Sequence, residues 1–195
     1  MKTVNFSVLL FFSAYAISQQ KDSINYYNQT SLSIYFGIGN YTTFPNGTNL
    51  IHKNTEHTLC FSTVNGIQFR NHFFGLEASI ERWKGLLLFP MSFNYRINLI
   101  KKRLSPYVLI NLGYSIGQIN NTPYYKDKRS GFLLKSGFGL QIRLTNKIAI
   151  TTDLTYKLQS MRSSYKRIIN PYEPELDVIY NIYYNFIGVS VGIKF

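Results

Sequence analysis

The sequence predicts an all-β protein, an eight-stranded antiparallel up-and-down transmembrane β-barrel, and three observations carry that prediction. Apolar residues recur at every second position in segment after segment, the pattern of a strand whose two faces meet different surroundings. The 195 residues hold no apolar run of about twenty beyond the N-terminus, and the mean hydropathy of −0.09 excludes a bundle of membrane helices. Only 15% of the residues are charged while 16% are aromatic, with sixteen Tyr, fifteen Phe and one Trp, which leaves a soluble β-rich domain or a membrane barrel. Thirteen Gly and six Pro, spread along the chain, exclude collagen-like or low-complexity character. The length suits one domain.

The chain opens on an address. Lys2 precedes an apolar stretch over 4–17, interrupted by Asn5, Ser7 and Ser13, which ends in Ala16-Ile17-Ser18 and passes into Gln19-Gln20-Lys21-Asp22. A charged start, an apolar centre and small residues before a polar boundary define a secretory signal peptide over 1–18, with a cut after Ala16 as the alternative. The segment is too short to span a bilayer, and no Cys near the cut offers a lipid anchor. Residues 19–30 then read as an N-terminal periplasmic extension and 31–195 as the barrel. Cys60 is the one cysteine, so no internal disulfide forms. Between Leu59 and Phe61 it reads as a small buried side chain.

Eight segments follow in order. In 31–39, Leu32, Ile34, Phe36 and Ile38 oppose Ser33, Gly37 and Gly39. Segment 57–68 is strand-like but poorly phased, and its facing is not assignable. In 73–82, Phe74, Leu76, Ala78 and Ile80 oppose Gly75, Glu77, Ser79 and Glu81. Over 87–98, Leu87, Phe89, Met91, Phe93, Tyr95 and Ile97 oppose Ser92, Asn94, Arg96 and Asn98. Segment 107–117 sets Val108, Ile110, Leu112, Tyr114 and Ile116 against Asn111, Gly113, Ser115 and Gly117. Segment 132–144 sets Phe132, Leu134, Phe138, Leu140, Ile142 and Leu144 against Lys135, Gly137, Gly139, Gln141 and Arg143. In 148–158, Ile148, Ile150, Leu154, Tyr156 and Leu158 oppose Thr151, Asp153, Thr155 and Lys157. The C-terminal segment places Ile187, Val189, Val191, Ile193 and Phe195 on one face.

The connections alternate in length. Those at 69–72, 100–105 and 145–147 are short, whereas 41–56, 118–130 and 161–178 are long and 83–86 is a tight exception. Short turns at one rim and long loops at the other is the arrangement of outer-membrane barrels, with both termini on the periplasmic, short-turn side and the long loops extracellular. The rival is a soluble lipocalin-like ligand-binding barrel, with the apolar face inward. Two features favour the membrane. The non-apolar faces carry Gly, Ser and sparse charges, where a solvent-facing surface is richer in charge. Aromatics near strand ends, Phe69, Phe73, Phe74, Tyr107, Tyr180, Tyr183 and Tyr184, suit interfacial girdles. The inward charges Glu77, Glu81, Arg96, Lys135, Arg143, Asp153 and Lys157 then form a candidate lumen network. Eight strands leave an interior just wide enough for side chains, so the lumen is plugged and open conduction is not expected.

Particular strings resemble a known group. The final strand, Phe186-Ile187-Gly188-Val189-Ser190-Val191-Gly192-Ile193-Lys194-Phe195, resembles the C-terminal signal read by the outer-membrane barrel-assembly machinery, with Phe195 as its last residue. Thr63-Val64-Asn65-Gly66-Ile67-Gln68-Phe69, Phe93-Asn94-Tyr95-Arg96 and Ser105-Pro106-Tyr107 resemble small outer-membrane β-barrel proteins of Bacteroidetes-type bacteria, the OmpA/OmpX-like barrels of Gram-negative cell surfaces. The resemblance spans 31–195. It implies a fold and the bacterial outer membrane as location, and no active site.

Chemistry is sparse. His52, His57 and His72 lack the spacing of a zinc site, and no paired Cys exists, so no metal and no cofactor is expected. Some barrels of this size are lipid A-modifying enzymes with Ser and His at the outer rim. Here His57, Glu56 and Ser62 are neighbours in sequence, but Ser62 lies five residues along a strand, roughly 17 Å away. No catalytic residue is assigned. Gly37-Ile38-Gly39 and Gly137-Phe138-Gly139 precede no helix, so they are not phosphate loops and supply room inside the barrel.

The net charge of +12 is the main functional signal. Lys126, Lys128 and Arg129 with Tyr124 and Tyr125 fall in the third outer loop, and Arg162, Lys166 and Arg167 with Tyr165 in the fourth. In an exported barrel these meet lipopolysaccharide phosphates or anionic glycans rather than nucleic acid. Lys101-Lys102-Arg103, on the opposite rim, reads as a solvated turn. The expected role is that of a non-enzymatic structural or surface-interaction protein contacting lipopolysaccharide or an external ligand. The alternatives are an accessory subunit of a larger outer-membrane complex and a lipid A-modifying enzyme.

Overall fold

Eight strands run antiparallel and close on themselves: β1 (Asn25–Ile38), β4 (His57–Phe69), β5 (His72–Trp83), β6 (Leu86–Asn98), β7 (Leu104–Gln118), β8 (Ser130–Arg143), β9 (Ala149–Arg167) and β10 (Leu176–Lys194). The first long connection carries a separate hairpin of β2 (Asn40–Thr43) and β3 (Leu50–Lys53). This computed structural model describes residues 24–43, 50–83, 86–100, 102–118, 130–145, 147–167 and 176–195; the side chains at 43, 83, 86, 118, 130, 162–167 and 176–181 are not described. Among the described residues no helix is long and apolar enough to cross a membrane, and the crossing is made by strands.

Neighbours in the barrel are neighbours in sequence, apart from the closing seam between the first and last strands. There Leu32 stands opposite Val191 and Ser33 opposite Ser190, and the terminal Phe195 exchanges backbone hydrogen bonds with Asn28 at 2.8 and 3.2 Å. Closure pairs each of the eight strands with two neighbours, so the barrel itself has no open edge, which a barrel in lipid requires. Each of the eight barrel strands exceeds the about 9–11 residues that a tilted strand needs to cross a bilayer.

The faces decide between the two barrel classes. Leu76 is 69% exposed, Met91 63%, Phe138 62% and Val191 55%, while Asn111, Thr151 and Gln159 are fully buried. The apolar face therefore points outward and the polar face inward, the inverse of a soluble barrel, and the lipocalin-like alternative is overturned. The unphased segment is resolved as well. On β4, Thr58, Cys60, Ser62 and Val64 face the lumen, whereas Leu59, Phe61, Asn65 and Ile67 face outward.

Several expectations shift. The barrel begins at Asn25 rather than 31, because Tyr27 and Gln29 already face the lumen. β9 and β10 run to 167 and from 176, so most of the fourth outer connection is a hairpin whose tip pairs only with itself. Of the expected girdle aromatics, Phe73, Tyr107 and Tyr184 are buried inside the barrel, while Phe74 and Tyr183 face outward. Adjacent residues on a strand point to opposite faces, so Phe73 and Phe74 cannot share a girdle. Gly39, at φ 68°, lets the chain leave β1 and enter β2.

Candidate functional site

Inward positions, two residues apart on every strand, stack into layers, and these layers form the site. At the long-loop end the Lys157 ammonium pairs with Glu81 Oε2, both all but inaccessible. Tyr35, Cys60, Leu88, Met161, Ile182, Tyr184 and Phe186 form the apolar cluster around them. The Lys157 Nζ lies 4.8 Å from the Tyr35 ring centroid and 5.4 Å from that of Phe186, so the pair is framed by aromatic faces.

The next layers are polar. Lys135 Nζ donates to both Glu77 oxygens at 2.7 and 2.9 Å, Asn111 donates to the same carboxylate, and Asn94 donates to Asn111 at 2.8 Å. Tyr107 OH and Ser190 Oγ both donate to Asp153, the latter at 2.9 Å. Ser31 and Ser62 bond across β1 and β4 at 2.8 Å. In this low-dielectric interior each charge depends on such partners, since an uncompensated buried charge is expensive.

Toward the short turns the Arg96 guanidinium lies 4.2 Å from the Phe73 centroid and 4.6 Å from that of Tyr107, and it donates to Gln29 Oε1 at 2.6 Å. Lys194 Nζ sits 3.8 Å from the Phe73 centroid, 5.3 Å from Tyr27, and donates to Gln68 Oε1 at 3.0 Å.

Six of the seven predicted lumen charges, Glu77, Glu81, Arg96, Lys135, Asp153 and Lys157, thus share the interior. Arg143 does not: it is the last residue of β8 and is exposed at the turn-side mouth. Lys194, one residue from the chain end, is buried inside and joins the group instead. Its alternation phase, on the face of Ser190 and Gly192, is the signal that points there.

The glycines of the inner face make room for rings. Gly188 stands directly opposite Tyr35, and Gly139 opposite Tyr107. A Cβ on Gly188 would collide with the Tyr35 ring, and one on Gly139 would come 2.6 Å from Tyr107 Cζ. A ring laid over a facing glycine is a recurrent device for pinning register in curved sheets.

The long-loop mouth is partly closed from above. Glu56 O accepts the Gly37 N–H at 2.6 Å, Asn54 Nδ2 donates to Asn185 O at 2.7 Å, and the Asn54 side chain occupies the space beside Gly37. Tyr41 on β2 packs on Tyr184 at 4.7 Å and stacks on His52 at 5.2 Å.

His57 and Ser62 do not meet. His57 is exposed on the outer face beside Phe36, 5.4 Å between ring centroids, whereas Ser62 faces the lumen and bonds Ser31. His72 bonds Tyr95 OH at 2.8 Å at the turn rim. Among the described residues no group of three or more His, Cys, Asp or Glu could hold a metal ion. Arg162, Tyr165, Lys166 and Arg167 lie on β9 rather than in a loop, with Lys166 opposite Asp177. Tyr124, Tyr125, Lys126, Lys128, Arg129 and the signal segment 1–18 lie outside the described residues.

No family model and no curated protein matches this chain. Solved structures do. Neisserial surface protein A superposes with a TM-score of 0.50 at 9% identity, covering 89% of this chain and all of that one. OprG, an outer-membrane protein from Pseudomonas aeruginosa, gives 0.51 at 10% identity, over 89% and 97% of the two chains. The outer-membrane protein AlkL in lipid bilayers gives 0.53 at 13%, over 90% and 91%. At such identities the likeness is one of fold and carries no bacterial lineage. With the inverted faces, it makes this chain a transmembrane β-barrel of eight antiparallel strands, the architecture of small outer-membrane proteins.

Proposed function

We propose that the protein resides in the bacterial outer membrane, with its termini and short turns in the periplasm, and acts as a non-enzymatic barrel whose long-loop side contacts lipopolysaccharide or an external ligand. The observation that carries this reading is the filled lumen. Ion pairs and side-chain amide hydrogen bonds occupy it from Glu81 to Arg96, and the cavity lined by Gln29, Glu77, Arg96, Lys135 and Asp153 measures about 20 Å³, room for about one water. Nothing passes through such a barrel, so work falls to its rims. The β9–β10 hairpin brings Arg162, Lys166 and Arg167 to the long-loop side, where cationic side chains suit anionic headgroups.

Planar-bilayer recordings test the plug: no stable conductance is expected, and a reproducible large step would overturn it. Binding of the refolded barrel to lipopolysaccharide vesicles tests the rim. Replacing Arg162, Lys166 and Arg167 together by Gln is expected to weaken binding, and unchanged binding would remove those residues from the contact. Mass spectrometry of lipid A with and without the gene tests the enzymatic alternative, which an altered acyl pattern would restore.

The accessory-subunit reading draws on one observation. Outward on the β1–β4 seam, Tyr26 OH and Asn28 Nδ2 both donate to Asn65 Oδ1, at 2.6 and 2.7 Å. Amides facing lipid are the kind of group that joins membrane proteins laterally. Detergent pull-down tests it, and recovery of a lone monomer counts against it. We assign Phe195, whose side chain faces outward, to recognition by the assembly machinery. Its deletion should lower assembly in cells while refolding in detergent persists.

A further inference from the structure

Among the described residues, the turn-side end of the lumen gathers cations that form no ion pair with an acidic side chain. Ala149 stands opposite Lys194 on one side and Arg143 on the other. The two cations therefore flank a residue with only a methyl side chain, their Cα atoms about 10 Å apart across two strand spacings. The Arg143 N–H donates to Arg103 O at 2.8 Å, which brings a third cation to the same lip. Behind them lies Arg96, packed on the same Phe73 ring as Lys194. Lys194 is 8% exposed and Arg96 3%, and Arg96 Nε has no hydrogen-bond partner among the described residues.

No carboxylate among the described residues lies within 4.0 Å of Lys194, Arg96 or Arg143. The described acidic residues, Glu56, Glu77, Glu81, Asp153 and Asp177, are absent from the short turns and from the last inward position of every strand. The exposed Lys102 and Lys147 in those turns add to the positive field. Aromatic faces offset only part of the cost of gathering such charges.

We propose that this mouth is an oxyanion site that takes a phosphate group carried by a water-soluble molecule, gripped between Lys194 and Arg143 above Ala149, with Arg103 at the lip and Arg96 supplying field from behind. A dianion matches several converging cations, and guanidinium forks suit its oxygens. Lys194 and Arg96 are enclosed by the barrel wall, and Arg143 and Arg103 are exposed at its turn-side mouth, so the grip opens to the water at that mouth.

The test uses the mature chain refolded in an uncharged, phosphate-free detergent. Its unfolding temperature is followed during titration with inorganic phosphate, and with chloride at equal ionic strength. A saturating stabilisation by phosphate is expected. Lys194→Met and Arg143→Gln should each weaken it by at least about tenfold, as befits loss of a charge-assisted contact. Arg143 is exposed, so Arg143→Gln carries the test even where Lys194→Met impairs folding. Equal effects of phosphate and chloride would overturn the site, as would a phosphate effect that survives Arg143→Gln. Micelles doped with phosphatidylglycerol, without free phosphate, separate the two sources: a stabilisation found only there would overturn the soluble ligand.

Discussion

Glu81 and Lys157 form an ion pair inside the barrel, 1% and 2% exposed, with Tyr35 and Phe186 against it. The pair is not fully satisfied, since Glu81 Oε1 has no partner among the described residues. Lys157→Met, which strands the carboxylate, should cost about 3–5 kcal/mol, whereas Lys157→Met with Glu81→Leu should recover most of that loss. Urea unfolding in detergent micelles measures both. A double variant as unstable as the single one would show that the pair stabilises the barrel in its own right.

Cys60 lies in the same apolar cluster and stands opposite Glu81 on the neighbouring strand. At 4% exposure its thiol is enclosed by the barrel wall. A maleimide should leave the folded barrel unlabelled and modify it fully after boiling in detergent. Rapid labelling of the folded, gel-shifted form would mean that the lumen admits solvent from the long-loop end.

Where the outward face is uniformly apolar, alternation made the strand and its facing legible, as with Leu76, Ala78 and Ile80 against Glu77 and Ser79. β4 resisted because its lumen face carries Cys60 and Val64 while its outer face carries Thr63 and Asn65, so polarity does not separate the faces. The start of β1 was hidden for the same reason, with Asn28 and Thr30 outward and Gln29 and Ser31 inward. Arg162, Ser163 and Ser164 read as loop because the sequence there shows no apolar alternation, although their backbone is paired with β10. The lumen charges were legible from phase alone, but whether a long side chain at a strand end is enclosed depends on which rings and amides it can reach. Arg143 and Lys194 both stand opposite Ala149, yet the Lys194 side chain folds in over the Phe73 ring while Arg143 stays exposed, which phase does not reveal.

Gly188 leaves the space that the Tyr35 ring fills. Gly188→Ala should destabilise the barrel by about 1–3 kcal/mol through overpacking. Tyr35→Ala should destabilise it too, by removing a buried ring. If one contact underlies both losses, the double variant costs clearly less than their sum. Additive losses in a denaturant-unfolding cycle would separate the glycine from the ring.

Leu112 lies at the middle of β7, 47% exposed on the apolar outer face, between Phe93 and Leu134 on the flanking strands. In a bilayer its side chain meets hydrocarbon, where Arg costs about 2–4 kcal/mol at mid-plane. Were the same face wetted by water, the substitution would fall within about 0.5 kcal/mol of neutral. Leu112→Arg, unfolded from phosphatidylcholine vesicles with guanidinium, should therefore lose stability, while Lys147→Gln in a short turn should not. A neutral Leu112→Arg would place the apolar face outside the hydrocarbon and undo the membrane assignment, because no other feature of the fold demands lipid as strongly as this band of exposed Leu, Ile, Val and Phe.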